Sequence, residues 1–358
     1  MTEFSSQETG GTSWTNRPPL SSLTALIATN LALAGLLCLT WWQRPEADRL
    51  VVYCAHDSVY SEDVLRDFER ETGIPLEIRF DTEATKSLSL VSLLVAEREN
   101  PRCDVFWNNE VLGTMKLKEQ GVLESYSGPG YERIPNQYRD PEGYWTGFGA
   151  RLRVYIVNTD QLTATDETIG AALAGDLSGV AVAQPLYGTT LTHYSILWQQ
   201  WGAEKLKQWH RESRERGIVE VKGNAVVKNL VAAGKCSLGW TDTDDYFLAV
   251  DDDEPVDMRP IRTPQGETIC IPNSVAIVKN CRHRKLAEKL VNYLLSEDVE
   301  VRLANSRSRQ VPLGKVDESK LPEQVRQLRP FVAEGVDLNG VAAAHRECLE
   351  WLQAEYSQ

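Results

Sequence analysis

The sequence predicts an α/β protein in which helices cover a largely parallel sheet, and two observations lead to this fold class. Short apolar runs alternate with helical patterns at the spacing of βαβ units, which is typical of parallel strands joined by helices. The chain has 358 residues, 42% of them apolar and 25% charged. That composition is ordinarily globular, excludes a largely disordered chain, and at this length allows about two domains.

The predicted elements follow in chain order. The first set contains strands at 50–55, 76–80 and 104–107, and helices at 61–72, 88–97 and 111–119. A long strand at 149–158, which carries Arg151 and Arg153, leads to the second set. That set contains strands at 180–184, 237–240 and 269–279, and helices at 190–201, 204–216, 224–233, 285–304 and 342–356.

The N-terminal region predicts export. A polar leader at residues 1–19 precedes a segment at 20–42 without a charged residue, which is long enough to span a hydrocarbon core as a helix. We expect an uncleaved transmembrane anchor, and a cleaved secretory signal is the alternative. In either case the residues after Arg44 are periplasmic or extracytoplasmic, anchored to the inner (cytoplasmic) membrane or released from it.

Charge and cysteine content narrow the function classes. The net charge of −13 argues against nucleic-acid binding, which needs a basic face, and suits a cationic ligand. Six of the seven cysteines follow the apolar segment. In an exported domain this even number permits disulfides, and buried free thiols are the other interpretation.

Polar residues at predicted strand ends are candidate cation ligands. His56 and Glu110 each follow a buried strand, and ligands of open α/β sheets collect at the carboxyl ends of strands. Asp242, Asp244 and Asp245 follow another strand, and such closely spaced carboxylates repel one another unless a cation or a basic group lies among them. A solvated acidic turn is the alternative for this stretch.

A second group of residues predicts an anion site. Arg151 and Arg153 lie on one face of a strand, and Gly188, Thr189 and Thr190 open a helix whose N-terminus favours anions. The sequence contains none of the G-x-S-x-G, H-E-x-x-H or G-x-x-x-x-G-K motifs, so no enzyme activity is expected.

Several segments together resemble the periplasmic ferric-ion-binding proteins of ABC importers. The resemblance covers roughly residues 50–330. It is carried by the segments 50–57, 72–74, 104–110, 151–155, 223–226, 272–278 and 310–313. It implies a two-lobed type II periplasmic-binding-protein fold, with lobe 1 at 50–150 plus 272–310 and lobe 2 at 151–271 plus 311–358.

The resemblance also implies a ligand set. His56 and Glu110 match the histidine and glutamate that bind Fe(III) in that family, whereas the family's adjacent tyrosine pair falls on Asp244 and Asp245. Carboxylates are hard oxygen ligands that suit several metal ions, so the aspartate pair specifies iron less strongly than the family's tyrosine pair does. Asn224 joins Arg151, Arg153 and the Gly188–Thr190 loop as the site of a companion oxyanion.

The resemblance thus implies a solute-binding protein, expected to be a monomer, that delivers a metal ion, first of all ferric iron, to an importer permease. A protein of the same fold that binds a small anion such as a phosphonate is the alternative. A membrane-anchored hydrolase with His56 and Asp57 as a catalytic pair is a third class, for which the chain offers no nucleophile motif.

Overall fold

The structure is a computed structural model that describes residues 49–81 and 88–357 of the chain. The polar leader at 1–19 and the predicted anchor or signal at 20–42 lie outside the described residues. Within the described ranges, no helix is long and apolar enough to cross a membrane.

One mixed sheet of ten strands forms the centre of the described chain, in the order β2-β1-β3-β10-β5-β8-β6-β7. In addition, β4 pairs with β10 and β9 pairs with β5. The strands are β1 (Leu50–Cys54), β2 (Leu76–Phe80), β3 (Val105–Asn108), β4 (Leu123–Glu124), β5 (Thr146–Asn158), β6 (Val180–Ala183), β7 (Val219–Val221), β8 (Leu238–Asp242), β9 (Val256–Pro260) and β10 (Cys270–Val278).

Helices join these strands as the alternating pattern predicts. The α-helices are α1 (Ser58–Thr72), α2 (Leu88–Ala96), α3 (Leu112–Glu119), α4 (Pro129–Glu132), α5 (Asp166–Ala174), α6 (Gly188–Trp201), α7 (Ala203–Glu215), α8 (Asn224–Ala232), α9 (Thr243–Asp251), α10 (Arg284–Leu294), α11 (Glu297–Asn305), α12 (Glu323–Ala333) and α13 (Ala342–Glu355). Short 3-10 turns lie at Asn136–Tyr138, Glu318–Lys320 and Leu338–Gly340.

The sheet has two halves that share one strand. The first half contains β1 to β4 and β10, and the second half contains β6 to β9. The long strand β5 pairs with β10 through its first part and with β8 and β9 through its second part. Residues at the carboxyl ends of strands from both halves therefore meet near the middle of β5. The two predicted lobes have their counterpart in these halves, and their boundaries stay a prediction.

A glycine fits the place where β5 passes from one half to the other. Gly149 has a φ of +45°, and a Cβ there would lie 2.9 Å from the Gln310 side-chain oxygen and 3.0 Å from Leu303. A side chain at this position would meet both backbone strain and close contacts. The crossing therefore depends on glycine.

Apolar residues make up most of the central strands because both faces of those strands are buried. Every residue of β3, β6, β8 and β10 is buried. Helices cover each face of a sheet of this kind, so the strands have no polar face to expose. For this reason, runs of apolar residues in the sequence predict these strands.

Two predicted elements differ from the structure. Residues 285–304, predicted as one helix, form α10 and α11, because the Ser296 hydroxyl accepts from Val299 N at 3.3 Å and begins a new helix. The acidic stretch 242–245, for which a solvated turn was the alternative, is not a turn. It contains the last residue of β8 and the first turn of α9.

All six described cysteines are free thiols, five of them buried and Cys281 half-buried. The structure therefore agrees with the interpretation as buried thiols, and no disulfide joins the described cysteines.

Candidate functional site

His56 lies directly after β1 and is buried. Its Nε2 lies 2.5 Å from the side-chain nitrogen of Gln310, and its Nδ1 lies 3.3 Å from the carbonyl oxygen of Asp57. The amide donates to Nε2, so the ring proton belongs on Nδ1 and points to the Asp57 carbonyl. A cation at Nε2 therefore has to displace the Gln310 amide.

Glu110 follows β3 and is also buried, with its carboxylate beside the first turn of α3. The carboxylate accepts from the backbone N–H groups of Leu112 at 2.5 Å and Gly113 at 2.8 Å, and from Asn108 Nδ2 at 3.1 Å. Burial raises the pKa of Glu110, and these hydrogen bonds offset only part of the rise. Each carboxylate oxygen has two lone pairs, so these bonds leave room for a further partner.

Asp242, the last residue of β8, is a buried carboxylate around which several predicted anion ligands gather. Its Oδ1 accepts from Arg153 Nη1 at 2.8 Å, and its Oδ2 accepts from Thr189 Oγ1 at 2.6 Å and Asn224 Nδ2 at 2.9 Å. In this conformation the protein's own carboxylate thus occupies the donors that were predicted to hold an external anion. Asp242 thus holds this cluster together, and its predicted role as a cation ligand stays a prediction.

Thr190 and Gly188 complete the start of α6. Thr190 Oγ1 donates to the Asn224 side-chain oxygen at 3.1 Å, which ties α6 to α8. Gly188 has a φ of +60°, a conformation that glycine adopts without strain. The structure therefore brings Gly188, Thr189, Thr190, Asn224 and Arg153 together, as the resemblance implied.

Arg151 connects the two halves of the site. Its Nη2 donates to the Asn109 carbonyl oxygen at 2.6 Å, whereas its Nε lies 3.6 Å from Asp242 and 3.8 Å from Asp244. Burial lowers the pKa of Arg151, but attraction by nearby carboxylates outweighs burial and raises it above its usual range. These carboxylates belong to Asp244, Asp242, Asp57 and Asp245.

Asp244 and Asp245 open α9 beside Arg151. Burial, opposed by Arg151 and reinforced by repulsion from Asp245, Asp242 and Asp57, raises the pKa of Asp244 to about 7. Asp245 accepts from Thr241 Oγ1 at 2.6 Å, and its backbone N–H donates to Asp244. Burial is the largest cause of this rise, and the three neighbouring carboxylates add to it.

The predicted cation ligands do not form a ready-made cluster in this conformation. Among the described residues, no group of three or more histidine, cysteine, aspartate or glutamate side chains is placed to hold a metal ion. A small cavity of about 30 Å³ lies where Glu110 and Gly113 from the first half face Gly188 and Thr192 from α6. This space is the size of one water molecule or a small ion.

Two further residues belong to the site although the sequence does not single them out as ligands: Gln310, which contacts His56, and Asn108, which contacts Glu110. Gln310 also accepts from Asn273 Nδ2 at 2.7 Å, so it links β10 to His56. Gln310 begins one of the segments that carry the family resemblance, and this position is the feature of the sequence that could have indicated its role. Asn108 follows an apolar run directly, and its position before Glu110 was the corresponding signal.

The chain matches the model of one protein family over most of its length. Residues 56–301 match the family described as bacterial extracellular solute-binding protein. The chain belongs to this family. The match confirms the predicted resemblance to solute-binding proteins. It also confirms that the chain is a solute-binding protein of an ABC importer, without naming the solute. The family is described as extracellular, which agrees with the predicted export. Its description names solute binding and no catalytic activity.

Two proteins are similar to this one in sequence over much of the chain. An uncharacterized protein of Haemophilus influenzae is 24% identical over 294 residues, which cover 79% of this chain and 81% of the relative. Iron uptake protein A2 of Synechocystis sp. is 23% identical over 227 residues, covering 59% of this chain and 65% of the relative.

Solved structures confirm the predicted type II periplasmic-binding-protein fold. The ferric binding protein from Campylobacter jejuni superposes with a TM-score of 0.74 at 18% identity, covering 86% of this chain and 99% of that one. The periplasmic binding protein AfuA from Actinobacillus pleuropneumoniae, solved with exogenous fructose-6-phosphate bound, superposes with a TM-score of 0.67 at 20% identity. It covers 85% of this chain and 98% of that one.

Proposed function

We propose that this solute-binding protein delivers a small, hard metal cation, first of all Fe(III), to the permease of an ABC importer. The observation that carries the proposal is the balance of charge around Arg151. Carboxylates outnumber guanidinium groups there: Asp57, Glu110, Asp242, Asp244 and Asp245 against Arg151 and Arg153. A cation relieves the repulsion among these carboxylates, whereas a further anion increases it.

Individual side chains have distinct roles in this proposal. Asp242 holds Arg153 and fixes the start of α6, so it is a positioning residue rather than a ligand. Asp244 and Asp245 approach the cation from the second half of the sheet, and Glu110 and His56 approach it from the first half. Oxygen ligands of this kind suit hard cations.

The space beside Glu110 suits a small ion. The cavity that Glu110 and Gly188 line measures about 30 Å³, far below the several hundred Å³ typical of organic ligand pockets, and His56, Asp244 and Asp245 lie outside its lining. Because the cation's ligands lie on both halves, we expect the halves to approach each other when it binds. The names of the Synechocystis relative and the Campylobacter structure support iron as the cargo.

A second candidate function is uptake of a small anion such as a phosphonate or a sugar phosphate. Arg153 favours it, because its Nε and Nη2 are buried and have no hydrogen-bond partner among the described residues. AfuA, which was solved with a sugar phosphate, has the same fold. In this alternative the phosphate group displaces Asp242 from the guanidinium.

Elemental analysis of the protein purified natively from the exported fraction tests the cargo directly. Titration calorimetry then compares Fe(III) supplied as its citrate complex with 2-aminoethylphosphonate and fructose 6-phosphate. We expect bound iron, and we expect the double variant Asp244→Asn, Asp245→Asn to bind Fe(III) at least tenfold more weakly.

The matched control is the double variant Asp166→Asn, Glu167→Gln, which removes two adjacent carboxylates from the exposed first turn of α5. It should bind Fe(III) like the unmodified protein. Equal Fe(III) affinity in both double variants contradicts the cation site. Saturable binding of either organic phosphorus compound, without binding of Fe(III), establishes the anion alternative instead.

A further inference from the structure

A second, larger cavity lies in the second half of the sheet, apart from the candidate cargo site. It measures about 300 Å³. Its walls include Trp201, Trp209, Trp240, Tyr155 and His193. The residues proposed to bind the cargo are not part of its lining. The cavity therefore needs an explanation of its own.

Secondary structure explains how the aromatic wall forms. Tyr155 on β5 and Trp240 on β8 are register partners, so their side chains project from the same face of the sheet. His193, Leu197 and Trp201 follow one another at intervals of four residues on α6, which places them on one face of that helix. The cavity lies between these two surfaces.

The aromatic rings form a continuous arrangement. Trp209 stacks on Trp240 with ring centroids 5.3 Å apart and an interplanar angle of 10°. Trp201 meets Trp209 edge-on at 5.9 Å, and His193 lies against Trp240 at 5.1 Å. Such a wall offers faces and edges on which a planar ligand can stack.

Several lining residues have a buried polar atom without a hydrogen-bond partner among the described residues: His193 Nδ1, Trp201 Nε1, Trp240 Nε1 and Thr263 Oγ1. Buried polar atoms in folded proteins are nearly always paired, so four such atoms around one cavity indicate a missing partner. Both indole N–H groups are donors, which calls for an acceptor on the occupant.

The cavity offers no unbalanced charge. Burial, reinforced by repulsion from Arg153, lowers the pKa of His193 well below its usual range, so the imidazole is neutral. Arg262 at the edge of the cavity is paired with Glu334 at 2.6 Å and donates to the Gly266 carbonyl oxygen at 2.5 Å. The surroundings therefore favour an uncharged occupant.

From these observations we infer that the cavity is a second binding site, for a small uncharged aromatic molecule with a hydrogen-bond acceptor. An engineered apolar cavity of about 150 Å³ holds benzene, so twice that volume accommodates two fused rings. The stacked tryptophans supply the contact surface, and the unpaired donors supply selectivity for the acceptor.

Titration calorimetry with quinoline, an uncharged two-ring heteroaromatic with one acceptor nitrogen, tests the inference on the full-length protein. We expect saturable binding to the unmodified protein. Leu173→Trp, which places a large ring at the cavity wall, should weaken quinoline binding at least tenfold. Lys289→Trp, which adds the same ring to the exposed surface of α10, is the matched control and should leave binding unchanged.

A conservative variant separates loss of the site from loss of the fold. Thr263→Val keeps the side-chain shape, removes a hydroxyl that has no described partner, and should weaken quinoline binding severalfold without lowering the melting temperature. Absence of saturable binding to the unmodified protein overturns the inference. Equal affinity in the unmodified protein and in folded Leu173→Trp overturns it as well, because quinoline then binds elsewhere.

Discussion

Arg153 and Asp242 are register partners on β5 and β8, and the guanidinium Nη1 lies 2.8 Å from the carboxylate Oδ1. Both side chains are buried, and Arg153 has no solvent exposure. The same carboxylate accepts from Thr189 on α6. This pair therefore fixes the starting points of both α6 and α9, and with them the positions of the candidate ligands.

The first prediction concerns the stability of this buried pair. Asp242→Asn leaves the Arg153 charge buried without a counter-charge, and breaking such a pair typically costs about 3–5 kcal/mol. We expect the free energy of unfolding to fall by about that amount. Urea unfolding at neutral pH, followed by tryptophan fluorescence, measures the change.

An exposed ion pair provides the control for this measurement. Arg259 and Asp166 form a pair at 2.8 Å, with side-chain exposures of 48% and 77%. Asp166→Asn should change the free energy of unfolding by at most about 1 kcal/mol, because solvent screens such pairs. Equal effects of the two substitutions contradict the structural role of Asp242.

The second prediction concerns the pH dependence of Fe(III) binding. The pKa of Asp244 is about 7 without a cation, so a proton competes with the cation for this carboxylate below that pH. We expect affinity to fall as pH drops below 7 and protons to be released on binding. Calorimetry in two buffers of different ionisation enthalpy, at pH 6 and pH 8, detects that release.

The Asp244→Asn variant supplies the comparison. It should bind Fe(III) weakly and with less proton release. Without cation it should be more stable above pH 7, by up to about 4 kcal/mol, because the buried carboxylate is then no longer forced to ionise. Identical proton release in the variant and the unmodified protein excludes Asp244 as the responsible group.

Much of the fold was predictable because its signals are local. The strands at β1, β3, β6, β8 and β10 are fully or almost fully buried, so each contains an apolar run, which Asn273 and Ser274 interrupt in β10. Residues at the strand ends could be placed near each other because carboxyl ends meet in such sheets. The gathering of Arg153, Thr189 and Asn224 follows from this rule together with the resemblance.

Other features depend on contacts that sequence does not contain. The engagement of Asp242 by donors from β5, α6 and α8 joins residues up to 89 positions apart. The short strand β9 has alternating half-buried and exposed residues, so it lacked a clear apolar signal. The bond between Gln310 and His56 spans 254 positions, and local pattern carries no information about such a pair.

The third prediction concerns stability in mild acid. Burial, with repulsion from Arg214 and Arg211, lowers the pKa of His210 to about 4. The unfolded chain protonates this histidine near pH ~6.5, so between pH 6.5 and 4 the unfolded state binds more protons than the folded state. Stability is therefore complete above pH 6.5 and decreases as pH falls toward 4.

Urea midpoints at pH 7.5 and pH 5.0 measure this effect. His210 should account for about 2 kcal/mol of the decrease, since each pKa unit corresponds to ~1.4 kcal/mol. His210→Gln should reduce the difference between the two pH values by about that amount. An unchanged difference means that other groups, such as His345 with its pKa lowered to about 4 by burial and by repulsion from Lys116, carry it instead.

The last prediction concerns closure of the two halves. Arg309, in the segment after α11, forms two bonds to Asp251 at the end of α9, at 2.6 and 2.9 Å. With the predicted lobe boundaries, this pair joins lobe 1 to lobe 2. Its side chains are 19% and 22% exposed, so it contributes on the order of 1 kcal/mol to the closed state.

Arg309→Gln should therefore shift the cation-free protein toward an open state, which small-angle scattering detects as a larger radius of gyration. Fe(III) affinity should fall about fivefold, because ~1 kcal/mol then opposes closure. Saturating Fe(III) should restore the smaller radius, since the cation itself bridges the halves. Arg326→Gln, which removes an exposed pair with Glu323 within α12, is the control and should change neither quantity. If Arg309→Gln also leaves both quantities unchanged, this ion pair does not hold the halves together.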